Sequence, residues 1–159
     1  MIKYLTGVFP LTQKEDKTYI LLGEQPKGKP LSGFLNGYGG KVEDGEDVLV
    51  AAQRELREEI GIISEQLIKI GVVTHTDKEI HFYAAVVEKL NFVDSDEMID
   101  NKWYDLVSDN FVDKMLPGDG EIISFIQKNI ESIFKSLIID EFRIAKAALE
   151  ISLISDKIQ

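Results

Sequence analysis

Strand-like and helix-like segments are mixed along these 159 residues with few βαβ units. That order predicts an α+β fold rather than a doubly wound sheet. Two further observations support it. Apolar residues make up 44% of the chain, enough for a real core. Two segments repeat apolar residues every three to four positions, whereas several shorter ones are rich in β-branched and aromatic residues. The length fits one domain, taken as 1–159, with 131–159 its least defined part.

In order, "YLTGVFPL" (4–11) and "KTYILLGE" (17–24) read as strands, with "TQKED" as the turn between them. "QPKGKPLSG" (25–33) is a Gly/Pro/Ser-rich loop. Residues 46–60 read as a helix, with Leu49, Ala52 or Gln53, Leu56 and Ile60 at 3.6-residue spacing and Gly61 placed to end it. "LIKIGVVTHT" (67–76) and "EIHFYAAVVE" (79–88) read as paired strands, and "NKWYDL" (101–106) as a short one. "EIISFIQKNIESIF" (121–134) has helical spacing. "IIDEFRIAKAALEISLI" reads either as a second helix or as a strand followed by a helix. Its apolar residues complete the core or form a dimer contact, so the expected state is monomer or homodimer.

The net charge is 18 − 28 = −10, which argues against a broad surface for long nucleic acids. It leaves room for a small phosphorylated ligand, because a bound divalent cation supplies a local positive field. No apolar run approaches 18 residues, so no membrane partner is expected. The N-terminus lacks signal-peptide character, and a cytoplasmic location is the expectation. With no cysteine, disulfides and thiolate zinc are excluded, and a count of two histidines argues against a histidine-rich metal site.

The chemistry concentrates in "GGKVEDGEDVLVAAQRELREEIGI" (39–62). Positions i, i+3 and i+4 of a helix face one way, so Glu55, Glu58 and Glu59 gather like charges on one side. An ordinary acidic face, with Arg54 and Arg57 as partners, is one reading. Glu55 borders the apolar stripe, however, and burying paired carboxylates without a counter-charge is costly. A hard cation such as magnesium removes that cost. Upstream, Gly37, Gly39 and Gly40 permit close backbone approach to a ligand, a glycine carbonyl can add an oxygen ligand, and Lys41 can meet a phosphate.

The spacing Gly40, Glu46, Arg54-Glu55-Leu56, Glu58-Glu59, Gly61-Ile62 resembles the complete Nudix box, GX5EX7REUXEEXGU. All nine specified positions are filled, and a chance match is remote at average residue frequencies. The resemblance implies a mixed β-sheet between helices with the box as loop–helix–loop. It implies hydrolysis of a nucleoside diphosphate linked to another group, with Mg2+ as cofactor and Mn2+ as the alternative. It implies metal ligation by Glu55, Glu58, Glu59 and the Gly40 carbonyl. One of Glu58 and Glu59 would also deprotonate water, while Arg54 orients the carboxylates through Glu46 or Glu55.

Three further stretches, "FLNGYGGKVEDGE", "SDEMIDNKWYDL" and "MLPGD", resemble the oxidised purine nucleoside triphosphatases among the MutT-like enzymes. The likeness covers roughly 3–130. It makes Asn36 a reader of the purine edge, Glu97 a further carboxylate near the metal, and Asp119 the second of two base-binding aspartates. The chain departs from that subgroup in three places: Gly118 replaces the first aspartate, and Leu116 and Leu35 replace tryptophans. Phe34, Phe82, Tyr83 and Trp103 are candidates to supply stacking, although each also suits a core. Thr6 can line the base pocket. His75 and His81 lie on the paired strands, where one can face the pocket.

The expected activity is therefore a pyrophosphatase that releases monophosphate and pyrophosphate from 8-oxo-dGTP and related triphosphates. The same chemistry on a nucleotide sugar, dinucleotide or RNA cap, and a non-catalytic nucleotide sensor, are the alternatives.

Overall fold

A computed structural model describes residues 1–64 and 66–146. The strands are β1 (Lys3–Lys14), β2 (Lys17–Glu24), β3 (Leu67–Thr74), β4 (Lys78–Val86), β5 (Ile99–Asp105) and β6 (Phe142–Ala145). The helices are α1 (Val48–Ile60), α2 (Asp119–Lys128) and α3 (Ile130–Phe134), with a 3₁₀ turn at Val112–Lys114. The strands form one mixed sheet in the order β5-β2-β1-β4-β3-β6. Pairing of β1 with β4 and of β3 with β6 is parallel; the other pairs are antiparallel. This is the α+β class expected from the sequence.

Alternation along the strands sends side chains to two cores. On one face Val8, Leu21, Tyr38, Tyr83 and Ala85 pack with Ala52, Leu56 and Ile60 of α1. On the other Phe9, Leu11, Ile20, Leu22 and Ala84 pack with Ile122, Ile123 and Ile126 of α2 and Ile133 of α3. Phe142 and Ile144 join this second cluster. The described part of the C-terminal region thus completes the core, and its strand is β6; the helix expected after it falls on 147–159, outside the described residues.

Several boundaries move for identifiable reasons. β1 runs to Lys14, and the turn shrinks to Glu15 and Asp16, both at positive φ (53° and 65°). Two consecutive left-handed residues suit a hairpin with right-handed twist, a geometry usually signalled by Asn or Gly. The 121–134 helix is two helices, broken at Asn129, whose side chain donates to the Phe125 carbonyl (2.8 Å). The α1 stripe keeps Ala52, Leu56 and Ile60 of the expected set and drops Leu49 at its N-terminal end. Leu49 is 38% exposed, while Ala51, Ala52, Leu56, Glu59 and Ile60 are buried. The helix begins two residues later than expected, at Val48, capped by Asp47, whose carboxylate accepts from the Leu49 N–H (2.8 Å), and it ends at Gly61 with φ 70°, as the sequence predicts.

Candidate active site

Between β1 and β2 the sheet forks. Residues 36–41 fill the fork, bridging Asn36 to Gly23, Tyr38 to Val8 and Lys41 to Leu5. The glycines here are required by space rather than by φ. A Cβ at Gly39 would overlap the Thr6 carbonyl, and one at Gly37 would come within 2.6 Å of the Val8 oxygen. A Cβ at Gly40 would lie 2.6 Å from a Glu55 carboxylate oxygen. Gly39→Ala should therefore cost about 2–3 kcal/mol of stability. Urea denaturation tests this, and an unchanged midpoint would refute the packing described.

The fork presses the loop against α1. The Gly39 N–H donates to Glu59 (2.9 Å), and Thr6 Oγ1 lies 3.4 Å from both the nitrogen and the oxygen of Gly40. The Gly40 carbonyl also accepts the Thr6 N–H at 2.9 Å. Tyr38, fully buried, donates its hydroxyl to Asn101 (2.7 Å), which ties the loop to β5. Met98, also buried, anchors the preceding turn, where the N–H groups of Glu97 and Met98 both donate to Ser95 Oγ (3.2 Å). That turn presents Glu97.

Glu55, Glu59 and Glu97 converge, each offering a carboxylate oxygen with all three within 4.8 Å of one another. Glu58 stands outside this cluster, contrary to the convergence expected for all three helix glutamates. Consecutive helical residues are turned by about 100°. With the buried stripe centred on Ala52, Leu56 and Ile60, Glu55 and Glu59 border the core and Glu58 swings toward solvent. Its side chain is 51% exposed.

Arg54 organises the periphery. It donates through Nε to Glu46 (2.8 Å), through Nη1 to Glu55 (3.0 Å) and Glu58 (3.1 Å), and through Nη2 to Glu46 (3.0 Å) and the Lys41 carbonyl (3.1 Å). The sequence left Glu46 or Glu55 as its partner; Arg54 holds both. These hydrogen bonds hold the Glu46 carboxyl below its ordinary range. Burial raises Glu55 despite Arg54 beside it. Glu59 is pushed up to about 8, mainly by burial and further by Glu55 and Glu97, against the lowering effect of the Gly39 N–H. Three hard oxygen donors carrying an electrostatic cost in the absence of a counter-charge match a divalent cation.

A cavity of about 300 Å³ opens beside the cluster, and Gly39, Gly40 and Glu59 belong to its wall. Thr6, Asn36 and Asp119 line it, and so do Phe82 and His75. Burial pushes the Asp119 carboxyl up to about 6, opposed by the nearby Lys146. Other expected residues lie elsewhere. Phe34 and Lys41 are not in the wall, and the Lys41 side chain is exposed because its backbone is the part used, accepting from Arg54. Tyr83 and Trp103 belong to the α1-side core, with Trp103 Nε1 donating to the Leu90 carbonyl (3.1 Å). His81 is buried against Glu79 (2.9 Å), away from the cavity. Sequence reasoning missed Phe9, Gln25, Met98 and Lys146 in the wall. For Phe9 and Met98 the only signal was apolarity, shared with every core residue; Lys146 arrives through the parallel β3–β6 pairing, which no local pattern announces.

A mixed sheet carries a carboxylate-lined helix with a cavity beside it, so hard oxygen donors and a recess for a ligand lie side by side. The chain belongs to the Nudix family: the NUDIX domain model matches residues 2–123. An oxidized purine nucleoside triphosphate hydrolase from Danio rerio is 37% identical over 93 residues, covering 55% of this chain and 58% of that protein. The protein of the same name from Mus musculus is 42% identical over 55 residues, 35% of each. The matches thus span little more than half of these relatives at most. In fold, the chain resembles the NUDIX domain of Shewanella oneidensis NrtR, solved with ADP ribose, at a TM-score of 0.68 and 15% identity, over 82% of this chain and 89% of that one. It also resembles a C. elegans Ap4A hydrolase at a TM-score of 0.65 and 21% identity, over 86% and 100%. Among the described residues, no helix is long and apolar enough to cross a membrane.

Proposed function

We propose that this protein is a magnesium-dependent nucleoside triphosphate pyrophosphatase that cleaves oxidised purine deoxynucleotides such as 8-oxo-dGTP into monophosphate and pyrophosphate. Manganese would serve as the alternative ion. One observation carries the reading: the Glu55–Glu59–Glu97 cluster abuts a cavity whose wall also holds Asn36 and Asp119. Phosphates and base of one nucleotide then have separate places. The names of the Danio rerio and Mus musculus relatives support the substrate class.

Glu55, Glu59 and Glu97 would hold the cation, with the Gly40 carbonyl beside them. When bound, it would neutralise the polyphosphate, polarise the phosphorus and acidify water. The protein's own groups do the rest. Arg54 fixes the Glu55 carboxylate and keeps Glu58 at the cluster's edge. Glu58, outside the ligand set and near solvent, takes the proton of the attacking water. Asn36, able to donate and to accept, reads one edge of the base. Asp119 accepts from base N–H groups, and Phe82 and Leu116 supply apolar contact.

Product analysis tests the proposal. The purified protein with Mg2+ should release pyrophosphate from 8-oxo-dGTP, with kcat/KM at least about tenfold above that for dGTP. Release of two monophosphates from a dinucleotide or nucleotide sugar, with triphosphates untouched, would overturn it.

A further inference from the structure

Gly118 stands where the sequence comparison expects a first base-binding aspartate. Its φ is +93°, a conformation that disfavours other residues, and a Cβ built there would overlap Lys146 Nζ. The ammonium group thus fills the space that a side chain at 118 would enter. Lys146 follows β6, its backbone N–H donating to the Thr74 carbonyl (3.0 Å), and its side chain joins Asp119 and Leu116 in the cavity wall. Lys146 acts electrostatically on Asp119, yet no ion pair within 4.0 Å joins the two among the described residues. One strong donor and one acceptor therefore flank the same cavity without neutralising each other by direct contact.

We infer that Lys146 and Asp119 form a base-reading pair that selects 6-oxopurines over 6-aminopurines. This deepens the reading above, since it rests on a purine nucleotide occupying the cavity. A guanine-type edge offers a carbonyl acceptor at C6 next to N1–H and N2–H donors. Lys146 donates to the carbonyl, and the Asp119 carboxylate accepts from the N–H groups. An adenine-type edge presents an amino donor to the ammonium and an acceptor at N1 to the carboxylate. Both contacts then become repulsive, and buried polar groups lose their partners. The C8 oxygen plays no part in this contrast, so base type and oxidation are read separately.

The test compares the wild type with Lys146→Met, which keeps an unbranched apolar stem without the ammonium, and Lys146→Arg, which keeps a donor. Binding of dGMP and dAMP is measured by calorimetry, and turnover is followed with dGTP, dATP and 8-oxo-dGTP. The wild type should bind dGMP about tenfold or more tightly than dAMP. Lys146→Met should lose most of that ratio by weakening dGMP, with dAMP equal or improved, and Lys146→Arg should retain it. In turnover, the loss should appear in KM for guanine substrates with kcat little changed. Equal wild-type affinity for the two monophosphates, no binding of either, or a ratio that survives in Lys146→Met within about twofold would overturn the inference. Because binding is read without turnover, a dGMP preference that depends on Lys146 upholds the pair even if no triphosphate is cleaved. In that case only the pyrophosphatase reading fails.

Discussion

Glu59→Gln should lower kcat by about 10³-fold while leaving the metal-free protein at least as stable as the wild type near pH 8. The two effects have one cause. Glu59 is 4% exposed and sits among Glu55 and Glu97, and its carboxyl is pushed up to about 8 from an ordinary 4.5. A raised carboxyl binds more protons folded than unfolded between those values. The favourable contribution is therefore complete below pH 4.5 and is lost as pH rises through about 8. In the wild type without divalent cation, stability should fall by a few kcal/mol across that window. Glutamine carries no charge, still accepts the Gly39 N–H through its carbonyl, and should flatten the slope. Added Mg2+ should raise the melting temperature of the wild type and raise that of the variant much less. Thermal melts from pH 5 to 9, in chelator or in Mg2+, together with initial rates, check all of this. A variant whose turnover stays within about tenfold of the wild type would remove Glu59 from the metal site.

The site was legible in sequence where its geometry is local. One helix and the loop before it carry Gly40, Glu46, Arg54, Glu55, Glu58 and Glu59; helical spacing grouped the three helix glutamates, and the resemblance to the family's motif supplied the parts of Gly40, Glu46 and Arg54. The three-dimensional cluster differs from the linear motif in one member: it takes Glu97 from a distant turn and leaves Glu58 at its exposed edge. Leu49 was counted in the apolar stripe and is exposed, whereas Ala52, Leu56 and Ile60 of that stripe are buried; Glu58, on the solvent side of it, stays at the edge and Glu97 completes the cluster. Glu97 was recognisable only through resemblance, since a lone acid in "SDEM" has no pattern of its own. The cavity wall was the least legible part. Asn36 and Asp119 were reached by likeness to relatives, and Thr6 by its place on the first strand. Lys146 needed a parallel strand pairing at a sheet edge, with its contact across 28 positions to Gly118.

The fold divides in the same way. The strands declared themselves by their β-branched and aromatic runs and α1 by its apolar spacing and Gly61, whereas the break at Asn129 within the 121–134 segment did not. Which strand lies beside which did not. β1 and β4 are adjacent and parallel although 63 positions separate Lys14 from Lys78. That adjacency places Leu5 and Phe9 beside Ile80 and Phe82, forming one floor of the cavity. The fork between β1 and β2 then admits a loop only because Gly37 and Gly39 have no side chains, so the glycine cluster shapes the sheet as much as the ligand site.

Arg54→Lys should reduce kcat about 10²-fold although the positive charge is kept. A lysine ammonium is a single point donor, whereas the guanidinium here spans two elements with three nitrogens. Nε and Nη2 grip Glu46 as a fork, Nη1 bridges Glu55 and Glu58, and Nη2 also reaches the Lys41 carbonyl. Lysine has three N–H donors but all on one nitrogen, so it cannot reach every position that three guanidinium nitrogens occupy. If it keeps Glu46, Glu55 loses the donor that opposes its burial, and its carboxyl should rise further. If it keeps Glu55, the 41–46 loop loses its tie to α1, and Gly40 shifts relative to the carboxylates. Either way the donor set is misplaced rather than removed. The variant should therefore need more Mg2+ for half-maximal rate, while its KM for nucleotide changes little. A residue serving only general stability would instead lower the melting temperature and leave the rate per folded molecule and the Mg2+ requirement alone. Titrating the rate against Mg2+ for wild type and variant separates the two, and an unchanged Mg2+ midpoint with full kcat would show that charge alone at position 54 suffices.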